Sequence, residues 1–304
     1  MESLQIKDLF SVRGRIALVT GGSSGIGYMI ARSLVENGAK VYIVALPTDD
    51  IKGALDSLNS IGKNSGGFAI GNLTGDRSFE GEVSTKEGIT AIVNFVEQRE
   101  KHLDILASNA GIRRDPPKTC DVKSASLDEL QASLWSSRHS DWQDTFSVNV
   151  TAHYFLSVGL LKLLAAAADL NIDQGRKGRD EGRGTIIVTS SCASMHNCTN
   201  IDLTSYAASK AATDHLVRLL ASKYASWYVR VNSINPGFVP SKMNPVMEGS
   251  NQFANLFKAM PAARIGRAHD IGGTVVFLCS EAGSYIDGTA IVIDGGRILL
   301  ANGQ

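Results

Sequence analysis

The chain has no excess charge of either sign: 30 Lys and Arg are matched by 30 Asp and Glu over 304 residues. Without a basic surplus, nothing points to nucleic acid or to an electrostatic hold on a membrane surface. Cysteine is scarce. Cys120, Cys192, Cys198 and Cys279 show no C-x-x-C spacing and no neighbouring His pair. A disulfide framework and a zinc or other metal site are therefore not expected, and a reducing, cytoplasmic setting fits best. Long uninterrupted apolar runs are also missing. The longest apolar stretch, residues 150–170, carries His153 and Lys162. A Lys at mid-depth is costly in a bilayer, so the stretch reads as a buried helix and no membrane span is expected. The opening MESLQIKDLF lacks the continuous apolar region of a signal peptide. Neither internal repeats nor low-complexity tracts occur.

What is there is regular alternation. Short apolar runs at 16–20, 41–45, 103–107, 184–189, 229–234 and 290–293 read as strands. They are continuous rather than alternating, as in parallel strands buried on both faces. Helical patterns lie between them at 28–37 (closed by Gly38, a C-cap), 89–100, 150–170 and 206–224. Strand–helix alternation implies right-handed crossovers and a doubly wound parallel sheet, an α/β fold. The pattern never changes type, so residues 1–304 are read as a single domain, with 1–13 as an N-terminal extension. Residues 169–184, charged and glycine-rich, are expected to be a mobile surface loop. Residues 112–141 contain Pro116-Pro117 and a helical piece at 127–135. They form a spacer or a wall of a substrate site.

Between the first strand and its helix lies Thr20-Gly21-Gly22-Ser23-Ser24-Gly25-Ile26-Gly27. A dinucleotide pyrophosphate needs backbone N–H groups and the positive end of a helix, with no side chains in its way. Gly21 would permit the tight turn, Gly25 the phosphate approach and Gly27 the helix–strand packing, with Ser23, Ser24 and Ile26 completing the cradle. Such a glycine pattern alone is a weak signal, and a flexible turn would also account for it. The flanking strand and helix strengthen it. The second strand ends in Val44-Ala45-Leu46-Pro47, where Leu46 takes the place of the ribose-binding acid common in NAD sites. Its absence tilts the cofactor toward NADP, with NAD still possible, although no basic residue is obviously placed for the 2′-phosphate.

Tyr206 and Lys210 are four apart on one helical face. A phenol titrating near 10 is a poor acid–base catalyst at neutral pH, and a nearby ammonium favours its ionised form. Alone, Tyr-x-x-x-Lys is more often a solvated helix pair. In order along the chain, however, stand the glycine loop, Asn109-Ala110-Gly111, Asn149, Ser190-Ser191, Tyr206-x-x-x-Lys210 and Asn235-Pro236-Gly237. This series resembles the short-chain dehydrogenase/reductase family in its TGxxxGxG branch, over about residues 12–297. Arg264-Ile265-Gly266-Arg267 and Ile293-Asp294-Gly295-Gly296 resemble its 3-oxoacyl reductase-like members.

The resemblance implies a single Rossmann domain with a seven-stranded parallel sheet. It implies Tyr206 as general acid for carbonyl reduction, with Lys210 lowering its pKa and holding the nicotinamide ribose. Asn149 would position a water in a proton relay, and Ser191 would hydrogen-bond the substrate oxygen. Ser190 and Ser194 stay open as alternates: the family's Ser-Ser-x-x-Gly here has Ser194 in place of Gly, and a small insertion lies between 196 and 204. For the cofactor, the resemblance implies Asn109, Ala110 and Gly111 on the adenosine side, and Val239 and Ser241 beyond Pro236 and Gly237. An acid–Val pair touching adenine has two candidates, Glu82-Val83 and Asn72-Leu73. Helix register favours Glu82, making 70–79 an insertion.

His153 reads as packed, and His196 as a loop residue within possible reach of substrate. Cys192 and Cys198 have no neighbouring cation to make a thiolate. The implied activity is an NADP(H)-dependent ketoreductase. Its rivals are an NAD-dependent alcohol dehydrogenase using the same site and a non-catalytic dinucleotide-binding sensor. Leu134, Trp135, Met195, Met243, Met247, Phe253, Phe257 and Met260 suggest a medium-sized apolar ketone or alcohol as substrate. Apolar residues on more than one face of 150–170 and 206–224 suggest a homodimer or homotetramer.

Overall fold

The computed structural model describes residues 4–72, 81–173, 175–195, 203–243 and 260–301. His196, Cys198, Met247, Phe253, Phe257 and Leu73 lie outside them. Seven strands form one parallel sheet: β1 Ile16–Thr20, β2 Lys40–Val44, β3 Phe68–Gly71, β4 Ile105–Ser108, β5 Thr185–Thr189, β6 Arg230–Pro236 and β7 Ala290–Ile293. Their order is β3-β2-β1-β4-β5-β6-β7.

The two-residue period of a strand explains the layers. Ala17 and Val19 of β1, Val41 and Ile43 of β2, and Ile105 and Ala107 of β4 enter one apolar core. Leu18, Tyr42, Val44 and Leu106 enter the other. Helices Gly25–Glu36, Ile51–Gly62 and Ala268–Leu278 cover the first face. The second is covered by Lys86–Glu97, Ala152–Gly159, Leu161–Ala168 and Thr204–Tyr224. Because both faces are covered, every residue is apolar-compatible, and this is why the sequence shows continuous runs instead of alternation. The connections leave β1 and β4 in opposite directions, so a crevice opens beyond their carboxyl ends.

Two expectations need correction. β3 was not read from the sequence: Ile70, placed in an insertion, pairs with Tyr42 in the sheet. The single helix over 150–170 is broken. A π turn at Ser147–Thr151 leads into Ala152–Gly159, which stops at Leu160, and Leu161–Ala168 leaves at 57°. Gly159 packs so close to the neighbouring helix that a Cβ there would meet Val93 Cγ2 at 2.6 Å. Residues 169–184, expected to be a mobile surface loop, make several contacts at their described positions. Asn171 bridges Lys177, Arg15 Nη2 donates to the Glu181 carbonyl, and Arg183 pairs with buried Asp104 at 3.1 Å. Among the described residues, no single helix is long and apolar enough to cross a membrane.

Candidate active site

A cleft of about 490 Å³ opens at the carboxyl ends of β1, β2, β4, β5 and β6. Its floor on one side is the glycine loop. Gly21 and Gly25 have φ of +66° and +54°, a region that penalises any side chain. A Cβ on Gly25 would also sit 3.1 Å from Ser241 Cβ, and one on Gly27 would lie 2.1 Å from the Gly21 carbonyl. Thr20 buttresses the loop: its hydroxyl accepts from Asn109 N at 3.0 Å and Ala110 N at 3.1 Å, while Asn109 Nδ2 donates to its carbonyl at 3.0 Å.

The helix Gly25–Glu36 begins at Ser24, which makes no side-chain cap, so its first-turn N–H groups face the cleft without one. Ser23 Oγ is buried with no hydrogen-bond partner among the described residues. Free amides at a helix start and a side-chain-free backbone suit a pyrophosphate. The residues present fit a dinucleotide.

Gly21, Ser24, Gly25, Ile26, Leu46, Glu82, Val83, Asn109, Ala110, Gly111, Pro236, Gly237 and Ser241 all line this cleft, with Ser191, Tyr206 and Lys210. Four expected residues do not line it. Gly27 is buried against the Gly21 carbonyl, Ser23 turns its hydroxyl out of solvent, and Asn149 lies beneath Gly111. Val239, 1% exposed, packs toward Gly266. Of the two adenine candidates, Glu82 faces the cleft, whereas Asn72 is buried and pairs with the Ala45 backbone in both directions.

At the reacting end, Lys210 is 2% exposed and its Nζ donates to the Thr189 carbonyl at 2.9 Å. Burial pushes it down to about 8, and Asp214 acts against that shift. Nζ stands 5.7 Å from the centre of the Tyr206 ring. Burial raises Tyr206 above the ordinary phenol value, opposed by a hydrogen bond with Ser191 and by the charge of Arg113. The expectation that Lys210 draws Tyr206 down is thus not what dominates here: desolvation does, and Lys210 is turned to Thr189.

The three serines separate by their partners. Ser190 Oγ donates to the Lys210 carbonyl at 3.1 Å. Ser194 Oγ takes Asn235 Nδ2 at 3.1 Å. Ser191 starts a short 3₁₀ turn, accepts from Ala193 N at 3.1 Å, and is the one of the three bonded to Tyr206. Asn149, read as a water-positioning residue, spends its amide on Ile112 and Ser209.

Sequence reasoning missed several lining residues. Lys242 forms an ion pair with Asp49 at 2.8 Å beside the end of β2. Their separation of 193 residues hid the pairing. Arg113 and Arg114, also in the cleft, are paired with Asp115 at 2.9 Å and Asp144 at 3.9 Å. Of the apolar residues expected around the substrate, Met243 lines the cleft. Leu134 and Trp135 are 48% and 87% exposed, Met195 is 39% exposed, and Met260 is buried.

A family model described as enoyl-(acyl carrier protein) reductase matches residues 21–297. The short-chain dehydrogenase/reductase PhomF of Diaporthe leptostromiformis is 33% identical over 302 residues, spanning 97% of this chain and 95% of its own. The 3-oxoacyl-[acyl-carrier-protein] reductase FabG of Salmonella typhimurium is 32% identical, over 95% of this chain and 100% of its own. Among solved structures, the RhlG/NADP active-site complex of Pseudomonas aeruginosa superposes with a TM-score of 0.75 at 30% identity, covering 95% and 98% of the two chains.

Proposed function

Because the chain belongs to the short-chain dehydrogenase/reductase family and is an oxidoreductase of that kind, we propose that it is an NADP(H)-dependent ketoreductase with Tyr206 as proton donor. The observation that carries this reading is the meeting of Tyr206, Ser191 and Lys210 at one end of the dinucleotide-shaped cleft.

A nicotinamide dinucleotide, when bound, supplies the hydride. The chain's own residues do the rest. Tyr206, raised by burial, keeps its proton at neutral pH and so has one to give. As negative charge grows on the substrate oxygen, that proton passes from Tyr206 Oη to it. Ser191 Oγ hydrogen-bonds the same oxygen and favours the developing charge. Lys210 holds the ribose and offers the site a buried ammonium. Asn149 fixes the backbone beneath Gly111. Gly21, Ser24, Gly25 and Ile26 bind the pyrophosphate, with Glu82 and Val83 at the adenine.

Two findings support NADP over NAD. The RhlG structure carries NADP, and no acid directly follows β2, while Asp49 a few residues on is neutralised in an ion pair with Lys242. Ile112, Val148 and Met243 line the cleft, and its two guanidiniums are already paired, which favours an apolar, uncharged ketone. The test is a cofactor-oxidation screen over apolar ketones and small keto acids, run with NADPH and with NADH. Turnover of apolar ketones with NADPH is expected. Turnover of keto acids alone would overturn the substrate class, NADH dependence the cofactor, and binding without turnover of any carbonyl the enzymatic role.

A further inference from the structure

Asp214 lies one helical turn beyond Lys210 on the same helix. It is buried, as are Ser233 and Asn235 of β6. Each carboxylate oxygen is held: Oδ1 accepts from Ser233 Oγ at 3.1 Å and Oδ2 from Asn235 Nδ2 at 2.8 Å. The same Nδ2 lies 3.2 Å from the Ser191 carbonyl and 3.1 Å from Ser194 Oγ. Ser233 Oγ is also 3.0 Å from Asn235 Oδ1. One carboxylate therefore connects the helix of Tyr206 and Lys210, strand β6, and the turn that presents Ser191.

All these donors are neutral. A buried carboxylate held by dipoles alone is costly unless an opposite charge lies close by. The groups facing Lys210 are few. From its own helix come Tyr206 and Asp214, and from the neighbouring helix His153, which burial pushes down to about 3 and so keeps uncharged. Cys192 and Arg113 act on Tyr206, and the Cys192 thiol is pushed up to about 12. Among these groups Asp214 is the anion. We propose that Asp214 is a positioning residue that keeps the buried Lys210 ammonium charged and, through Asn235, fixes the turn carrying Ser191. The inference rests on the reading of Lys210 as a cofactor-holding cation.

Asp214→Asn separates charge from shape. An amide at this position can still accept from Asn235 and can donate to Ser233 Oγ, which frees that hydroxyl's one hydrogen for Asn235 Oδ1. The experiment measures NADPH affinity by fluorescence, and ketone turnover, from pH 6 to 10. In the wild type, affinity should fall as Lys210 loses its proton, near pH 8. In Asp214→Asn that fall should move down by about one unit, with turnover following it, as expected for removing a neighbouring opposite charge. Asp214→Glu, which keeps the charge but not the fit, should leave the midpoint in place while lowering turnover. Superimposed wild-type and Asn profiles would overturn the proposal. So would a Glu variant displaced downward by a unit, a result that stands even if the Asn variant does not fold. A wild-type protein that binds no NADPH at any pH would instead overturn the cofactor reading, and this inference with it.

Discussion

Asn149 and Ile112 are joined twice: Asn149 Oδ1 accepts from the Ile112 N–H at 2.9 Å, and Nδ2 donates to the Ile112 carbonyl at 2.9 Å. One side chain thereby satisfies both backbone groups of the residue that follows Asn109-Ala110-Gly111. It does so from a π turn whose own Asn149 carbonyl is taken by Thr213 Oγ1 at 2.6 Å. The bend after β4 is thus fixed to the helix bearing Lys210. Close approach is needed, since a Cβ on Gly111 would lie 3.3 Å from Asn149 Oδ1 and 3.4 Å from Lys210 Nζ.

Asn149→Ala should cost about 1–3 kcal/mol of stability, because it leaves a partly buried N–H and carbonyl without partners. Asn149→Asp should do at least as badly, since a carboxylate oxygen would then face the Ile112 carbonyl. Urea unfolding checks both. An alanine variant as stable as the wild type would mean that water replaces the pairing.

Tyr206→Phe removes one oxygen and keeps the ring, so folding should change little. General acid catalysis is worth about 10² to 10⁴-fold, and turnover should fall by at least that much. NADPH binding should persist, because Lys210 and the glycine loop are untouched. Lys210→Met should instead weaken NADPH binding. A Phe variant keeping more than about a tenth of wild-type turnover would contradict the role given to Tyr206.

His153 is 1% exposed, with Nδ1 2.7 Å from Ser108 Oγ and Nε2 unpartnered among the described residues. Burial, and secondarily Lys210, push it from 6.5 down to about 3. Below pH 6.5 the unfolded chain binds a proton that the native one refuses. Stability from this group is therefore complete above pH 6.5 and is lost as the pH falls toward 3. The slope is at most about 1.4 kcal/mol per unit. Urea midpoints at pH 7.5, 6 and 5 should fall more steeply for the wild type than for His153→Gln. Parallel slopes would show that His153 is not the group responsible.

Tyr154 and Val158 on helix Ala152–Gly159, and Leu219 on helix Thr204–Tyr224, are 41%, 43% and 46% exposed. Apolar side chains at these positions need cover beyond the protein's own sheet. Light scattering at micromolar concentration should show a dimer or tetramer, and Val158→Asp with Leu219→Asp should shift it toward monomer. A wild-type particle of 32.4 kDa would refute the assembly.

Most of the sheet was legible because buried parallel strands need unbroken apolar runs, and the edges of β1 and β7 fall where those runs end. β3 was not, since Phe68 is exposed at an edge and its run is only four residues long. The helix at 150–170 looked continuous because apolar content says nothing of direction. Its break at Leu160 follows Gly159, whose close packing on Val93 leaves no room for a Cβ.

The glycine loop and the Tyr206–Lys210 spacing were legible in the sequence, because both are local patterns: a turn before a helix, and two side chains one turn apart. Tertiary structure decided the rest of the site. Only folding could bring Thr189 to Lys210, Lys242 to Asp49, and Asn235 to both Asp214 and the Ser191 turn. Only folding could separate Ser191 from Ser190 and Ser194, three hydroxyls within five residues whose partners all come from other elements or from the turn between them. The reason is physical: a residue's type states which bonds it can make, but burial and distant neighbours set which of them it does make and what charge it carries.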